Sequence, residues 1–195
     1  MRNAGVMKSS FSAAPSDVLR GAWREAGVFF LAPALVALGA QVRVPVPGTD
    51  VPMTLQLPAV VLIGFSLTAS RAAASMVSYI TLGAAGVPVF APGSLGLIGP
   101  TGGYLVGFVL AAWLVALLRG QGEPGAVRLA VAGTAGAAMV LGLGVLWRLV
   151  WVTGDVGTAV MTGFVPFWWK ALIEVALIVT VTVGARSAHR WWIGD

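Results

Sequence analysis

Residues 51–118 read VPMTLQLPAVVLIGFSLTASRAAASMVSYITLGAAGVPVFAPGSLGLIGPTGGYLVGFVLAAWLVALL, and Arg71 is the only charged residue in these 68 positions. A soluble domain offers no such run, because about a quarter of its residues are normally charged. Nor does one helix use it up, since crossing a bilayer takes about 20 predominantly apolar residues. The run must fold back on itself, and its glycines and prolines say where. Leu55 to Ser70 reads as a short span closed by Arg71, and residues 72–85 as a span stopped by Gly86 and Pro88. Residues 86–102, with three prolines and five glycines, break helix but stay apolar. Gly103 to Leu118 is the next span, closed by Arg119.

Working outward, a first span covers about residues 22–40, its apolar run starting at Ala26, before Arg43, Asp50 and three prolines interrupt it. Further spans cover residues 127–152 and 166–184, which makes six. The whole chain of 195 residues is 58% hydrophobic and 10% charged, with mean hydropathy +0.91. That composition excludes a soluble enzyme and leaves no length for a separate soluble domain. The expected architecture is all-α: one integral membrane domain of six helices, preceded by a cytoplasmic lead-in over residues 1–21.

A net charge of +5 and a pI near 10.8 would suggest nucleic acid in a soluble protein. Here they read as loops held in the cytoplasm by their positive charge, and no nucleic-acid partner is expected. With six spans, nine of the twelve basic residues share one side: Arg2, Lys8, Arg20, Arg24, Arg71, Arg119, Arg128, Arg186 and Arg190. Both termini are therefore expected in the cytoplasm. The first long apolar run begins only after Glu25, later than a cleaved signal peptide would place it. The chain has no cysteine, and its one histidine, His189, lies in the basic tail, so neither metal nor cofactor chemistry is expected.

Two features stand out as candidate ligand contacts. The 86–102 segment lies outside in this topology, and irregular apolar backbone is tolerated there only against protein or a wet cavity. It reads either as a wall over an outward-facing site or as a loop lying on the helix tops. Lys170 falls roughly one turn inside the last span, where an ammonium costs a few kcal/mol and needs a partner. It reads as a counter-ion for an anionic ligand, as an i,i+4 partner of Glu174, or as a snorkelling side chain. Most of the eight tryptophans sit near span ends, as interfacial anchors do, while Trp168 and Trp169 beside Lys170 are candidates for a stacking wall. Gly103, Gly107 and Ala111, like Ala132 and Gly136, are small residues at four-residue spacing that let helices approach closely. No GxxxxGK[ST] run is present, so ATP binding by a P-loop is excluded, and any pumping would have to draw on another subunit or on a gradient.

The elements Val51-Pro52, Thr54-Leu55-Gln56, Tyr79, Leu82-Gly83, Gly86, Pro88-Val89-Phe90 and Gly99-Pro100-Thr101-Gly102-Gly103-Tyr104 resemble the BioY family. Members of that family are biotin-specific S components of energy-coupling factor (ECF) transporters. The resemblance covers about residues 51–108, where GPTGGY after a PVF segment is specific; the remainder matches in hydropathy, length and the lysine of the last helix. It implies a multi-pass protein of the bacterial cell membrane that is not an enzyme. Such a protein captures biotin from outside and works with a transmembrane coupling subunit and ATP-hydrolysing subunits. The implied pocket takes Lys170 to neutralise the biotin carboxylate or bond its polar head. Gln56, Tyr79, Thr101 and Tyr104 are polar contacts, Gly102 and Gly103 close-approach backbone, and Phe90, Trp168 and Trp169 apolar walls.

The sequence departs from the family pattern in two places. Many members open the last helix with Asp-x-x-Lys, but Phe167 holds the aspartate position; Asp155 and Glu174 are the acidic residues left to substitute. The small-residue docking spacing of the first helix fits only at Ala22-Trp-Arg-Glu-Ala26. An S component for a different vitamin and a non-transport structural membrane protein remain as alternatives.

Overall fold

The computed structural model describes residues 23 and 26–193 of the chain. The lead-in over residues 1–21 and most of the Ala22–Ala26 spacing lie outside the described residues. Among the described residues seven helices follow in order, besides a 3-10 turn at Gly96–Ile98. α1 is Gly27–Gln41, wound as π-helix over Gly27–Leu31, and α2 is Gln56–Ser66. α3 is Ala69–Ala84 and α4 is Gly102–Arg119. α5 is Ala126–Arg148, continued by a π turn at Leu149–Thr153. The short α6 is Val156–Gly163, and α7 is Trp168–Ile193. Between α1 and α2 two short strands, β1 (Arg43–Val44) and β2 (Met53–Thr54), pair antiparallel with Arg43 opposite Thr54. Neither this ribbon nor α6 was expected from hydropathy.

The break between α2 and α3 falls at Leu67 and Thr68 rather than at Arg71, which instead lies in the first turn of α3. An extended Thr68, at φ −69° and ψ 157°, cannot continue the helix, and its carbonyl accepts the N–H of Ala72. Among the described residues three helical stretches are long and apolar enough to cross a membrane: Gly102–Arg119, Ala126–Thr153 and Val156–Trp192. By contrast α2 has 11 residues, about 16 Å at 1.5 Å per residue, roughly half a hydrocarbon core. The ribbon and the 86–101 segment occupy the space its shortness leaves.

α2 and α4 form the centre of the bundle. α4 packs on α2, α3 and α5, and α2 also meets α1 and α7. Val60, Val61, Met76, Val115 and Leu129 are fully buried among them. α4 and α5 approach closely where Gly103 lies against Leu143 and Trp147, Gly107 against Val140 and Gly136 against Val115. The outside is apolar, with Leu38, Val131, Val150, Ile173 and Leu177 all more than half exposed. On α7 the outward residues Trp169, Leu172 and Ile173 alternate with Lys170, Ala171, Glu174 and Val175, one inward stripe at helical spacing.

At one end of the bundle arginines hold the connections. Arg119 donates to Leu67 O, Arg128 to Leu118 O and Arg186 to Pro124 O, and Arg190 pairs with Glu123. At the opposite end the ribbon, the 86–101 segment and α6 meet. There Gly96 has φ +60°, and a Cβ on it would come within 2.8 Å of the Phe90 ring. Gly96→Ala therefore combines left-handed strain with a clash, and should cost about 1–2 kcal/mol. Gly142→Ala, in open space on α5, should be neutral or mildly stabilising, as in any exposed helix interior. Thermal unfolding of the two purified variants in detergent checks the contrast.

Candidate functional site

The ribbon end of the bundle holds one well-formed cavity. The ribbon and its flank contribute Val51, Pro52, Met53 and Thr54, and α2 contributes Gln56 and Leu57. The 86–101 segment adds Phe90, Ala91, Ser94 and Thr101, and α4 adds Tyr104, Leu105 and Phe108. Val140 and Leu141 of α5 line the floor, and Phe167, Lys170, Ala171 and Glu174 bring the inward stripe of α7 and the residue just before it. Apolar surface dominates, so each polar atom on it carries a disproportionate share of any recognition.

Most of those polar atoms are already committed. Lys170 Nζ donates to the carbonyl of Thr54 at 2.7 Å and to Glu174 Oε1 at 2.6 Å. Thr54 Oγ1 donates to Gln56 Oε1 at 2.9 Å, and Gln56 Nε2 to the Tyr79 hydroxyl at 2.8 Å. Tyr79 in turn donates to Val89 O at 3.0 Å. A continuous chain of polar contacts thus ties α7 to the ribbon, to α2, to α3 and to the 86–101 segment. Tyr104 OH donates to Gly163 O at 2.7 Å, which leaves its ring as the cavity wall, edge-on to Phe167 at 6.4 Å.

The ribbon has a second fastening. Arg148, 3% exposed at the end of α5, pairs through Nη1 with Asp50 and donates from Nε and Nη2 to Thr162 Oγ1 at 3.2 and 2.9 Å. Arg43 donates to Pro92 O at 2.7 Å, joining the ribbon to the 86–101 segment. Asp155 lies apart from the cavity: it caps α6 by accepting the Thr158 N–H, which holds its carboxyl below the usual range.

Of the ten residues singled out in the sequence, Lys170, Gln56, Phe90, Thr101 and Tyr104 line the cavity. Tyr79 sits one layer behind, fully buried, edge-on to Phe90 at 5.5 Å. Gly102 and Gly103 face α5, where the Trp147 side chain fills the space their missing Cβ atoms leave. Trp168 and Trp169 are nearly half exposed and point away from the cavity. Helix geometry explains the last point: residues two and one before Lys170 are rotated about 200° and 100° from it. The same geometry brings Phe167 and Glu174 onto the Lys170 face, a signal readable from spacing alone. The Arg148–Asp50–Thr162 cluster left no such trace, because its members lie on three separate elements.

A family model described as the BioY family matches residues 8–191. The chain belongs to the BioY family. It is 39% identical to the biotin transporter BioY of Thermotoga maritima over 165 residues, 83% of this chain and 92% of that protein. It is 32% identical to biotin transporter BioY2 of Lactococcus lactis, covering 75% of this chain and 85% of the relative. The fold matches the crystal structure of the S-component for biotin from an ECF-type ABC transporter, with TM-score 0.73 and 19% identity over 89% of this chain and 94% of that one. The relatives are transporters rather than enzymes, and this BioY-family chain is accordingly a membrane-embedded transport protein.

The polar chain behind the cavity predicts how substitutions rank. Tyr79→Phe leaves the buried Gln56 Nε2 without its acceptor and Val89 O without its donor, and should cost about 1–3 kcal/mol. Asp50→Asn should cost about 1 kcal/mol or less, because the Asp50 side chain is 48% exposed and Arg148 keeps Thr162. Thermal unfolding in detergent would expose a reversed order.

Proposed function

We propose that this protein binds biotin in the cavity at the ribbon end and delivers it for import as the S component of an ECF transporter. The observation that carries the reading is the cavity itself: an apolar pocket with one ammonium, on a chain of the BioY family. Biotin has a bicyclic ring with a cyclic urea, an aliphatic chain and one carboxylate, which suits a mostly apolar wall with few polar contacts. The absence of any P-loop in the sequence supports dependence on separate ATP-hydrolysing subunits and a transmembrane coupling subunit.

The chain is a single membrane domain whose membrane passes are α1, α2, α3, α4, α5 and the α6–α7 segment, six in all. The arginine-held end faces the cytoplasm with both termini, and the cavity end faces outward in the bacterial cell membrane. Support comes from the charge distribution, since Arg71, Arg119, Arg128, Arg186 and Arg190 all belong to the arginine-held end.

Titration of the detergent-solubilised protein with biotin should give saturable one-to-one binding with a Kd of about 1 μM or tighter. Lys170→Met should weaken it about tenfold or more, in line with a lost charged hydrogen bond. A wild-type protein that takes up no biotin, or binds another vitamin in its place, sinks the assignment. Orientation is tested separately, because the chain has no cysteine. Leu95→Cys, in the exposed part of the 86–101 segment, should react with a membrane-impermeant maleimide on intact cells. Ser187→Cys should react only after permeabilisation.

A further inference from the structure

The arginine-held end carries positive charge that the described residues do not balance. Arg119, the last residue of α4, donates from Nη2 to Leu67 O at 3.2 Å, and its Nε is buried with no hydrogen-bond partner. Arg186 of α7 donates to Pro124 O at 3.1 Å and lies near enough to Arg119 for the two guanidiniums to repel. Arg128 donates from Nε to Leu118 O at 2.8 Å and lays its guanidinium against Gly120. All three therefore gather on the α4–α5 connection. Glu123, the one acidic residue of that connection, is taken by Arg190. Among the described residues no carboxylate pairs with Arg119, Arg128 or Arg186. Each spends a donor on a neutral carbonyl and keeps most of the others that a guanidinium carries.

Helix capping accounts for only part of this arrangement. A cation at the C-terminal end of α4 gains from the helix dipole, but Arg128 stands in the first turn of α5, where the dipole opposes it. Like charges held together cost free energy that an anion among them returns. The surroundings say which anion. Leu117, Val127 and Val131, close to the arginines in sequence, are exposed and apolar, so acyl chains can lie next to the cluster. Trp191 and Trp192, one to two turns beyond Arg186, are largely exposed, and such indole rings rest at headgroup depth. A phosphate held at that depth is a lipid phosphate. The unbalanced positive charge also disfavours a headgroup that brings its own ammonium.

We propose that Arg119, Arg128 and Arg186 form a binding site for the phosphodiester of an anionic phospholipid. Planar guanidinium forks suit phosphate oxygens, and a single phosphate bonded to more than one of them would tie the ends of α4, α5 and α7 together. Through the Arg119–Leu67 bond the same lipid would also steady the α2–α3 turn. The site lies at the opposite end of the bundle from the cavity, so the proposal holds whether or not the cavity takes biotin.

The test titrates the detergent-solubilised full chain with dioleoylphosphatidylglycerol, with dioleoylphosphatidylcholine and with inorganic phosphate, counting bound molecules by native mass spectrometry. The wild type should retain phosphatidylglycerol saturably, and in preference to the other two. Each arginine removed should weaken that binding about fivefold, so Arg128→Gln about fivefold and Arg119→Gln/Arg186→Gln about 25-fold. Arg43→Gln removes the same charge from the cavity end and should leave phosphatidylglycerol binding unchanged. Circular dichroism checks that each variant is folded; if the double variant is not, Arg128→Gln decides, because its side chain is exposed. Equal retention of phosphatidylcholine overturns the proposal, as does a loss in Arg43→Gln as large as in Arg128→Gln. Equal occupancy by inorganic phosphate overturns the lipid assignment and leaves a free-phosphate site. Should phosphatidylglycerol not bind, while the arginine variants fail to assemble with the energising subunits, the cluster is a docking face for an acidic protein surface and the lipid proposal is wrong.

Discussion

The contact on which the functional end of the molecule depends is the one between the Lys170 ammonium, the Thr54 carbonyl and Glu174. A cation inside an apolar bundle costs several kcal/mol unless it is paired and hydrogen-bonded. Lys170 meets that need with one charged partner on its own helix and one backbone carbonyl contributed by the ribbon. The second partner matters more for architecture. It fixes the height at which β2 enters the bundle, and so the position of Val51, Pro52 and Met53 on the cavity wall. From Thr54 the order passes through Gln56 and Tyr79 to Val89, so one ammonium helps position the segment that carries Phe90 and Ser94.

The second constraint is the length of α2. Eleven helical residues cover only about half of a bilayer core, so the rest of that pass is not helix, yet backbone in an apolar environment must satisfy its own N–H and C=O groups. The chain resolves this with a two-stranded ribbon, with Leu55 N–H bonded to Gly39 O, and with Arg43 bonded to the Pro92 carbonyl. Irregular backbone survives there because it is packed against protein. The cavity is the part of that space the ribbon and the 86–101 segment do not fill.

Most of the helical layout was legible from composition, because long apolar runs broken by glycine, proline and arginine admit few arrangements. The α2–α3 boundary was misplaced by three residues: Arg71 draws the eye as a stop signal, but the chain turns at an extended Thr68, which no hydropathy profile marks. α6 was missed because its eight residues, with two threonines and two glycines between Gly154 and Pro166, read as part of a connection between spans. The ribbon was missed because strands of two residues have no periodicity. In the candidate site, Lys170 stood out as a charge in an apolar run. The tryptophans beside it were drawn in by adjacency in sequence, whereas a helix groups residues three and four apart. Phe167 and Glu174 were on that face all along.

The way polar groups are spent around the cavity also bears on selectivity. Gln56, Tyr79 and Tyr104 look like ligand contacts in a sequence, but each already makes hydrogen bonds within the protein. A ligand competing for them would have to break bonds that hold the wall in place, and it would recover at best what it broke. Recognition by a mostly apolar cavity of this kind falls on shape and on the few polar atoms left over. Discrimination of this kind is steep, because a mismatch leaves a charge buried without a partner, whereas a poor apolar contact costs only a fraction of its surface. A pocket with many uncommitted polar groups would bind more molecules and choose among them less well.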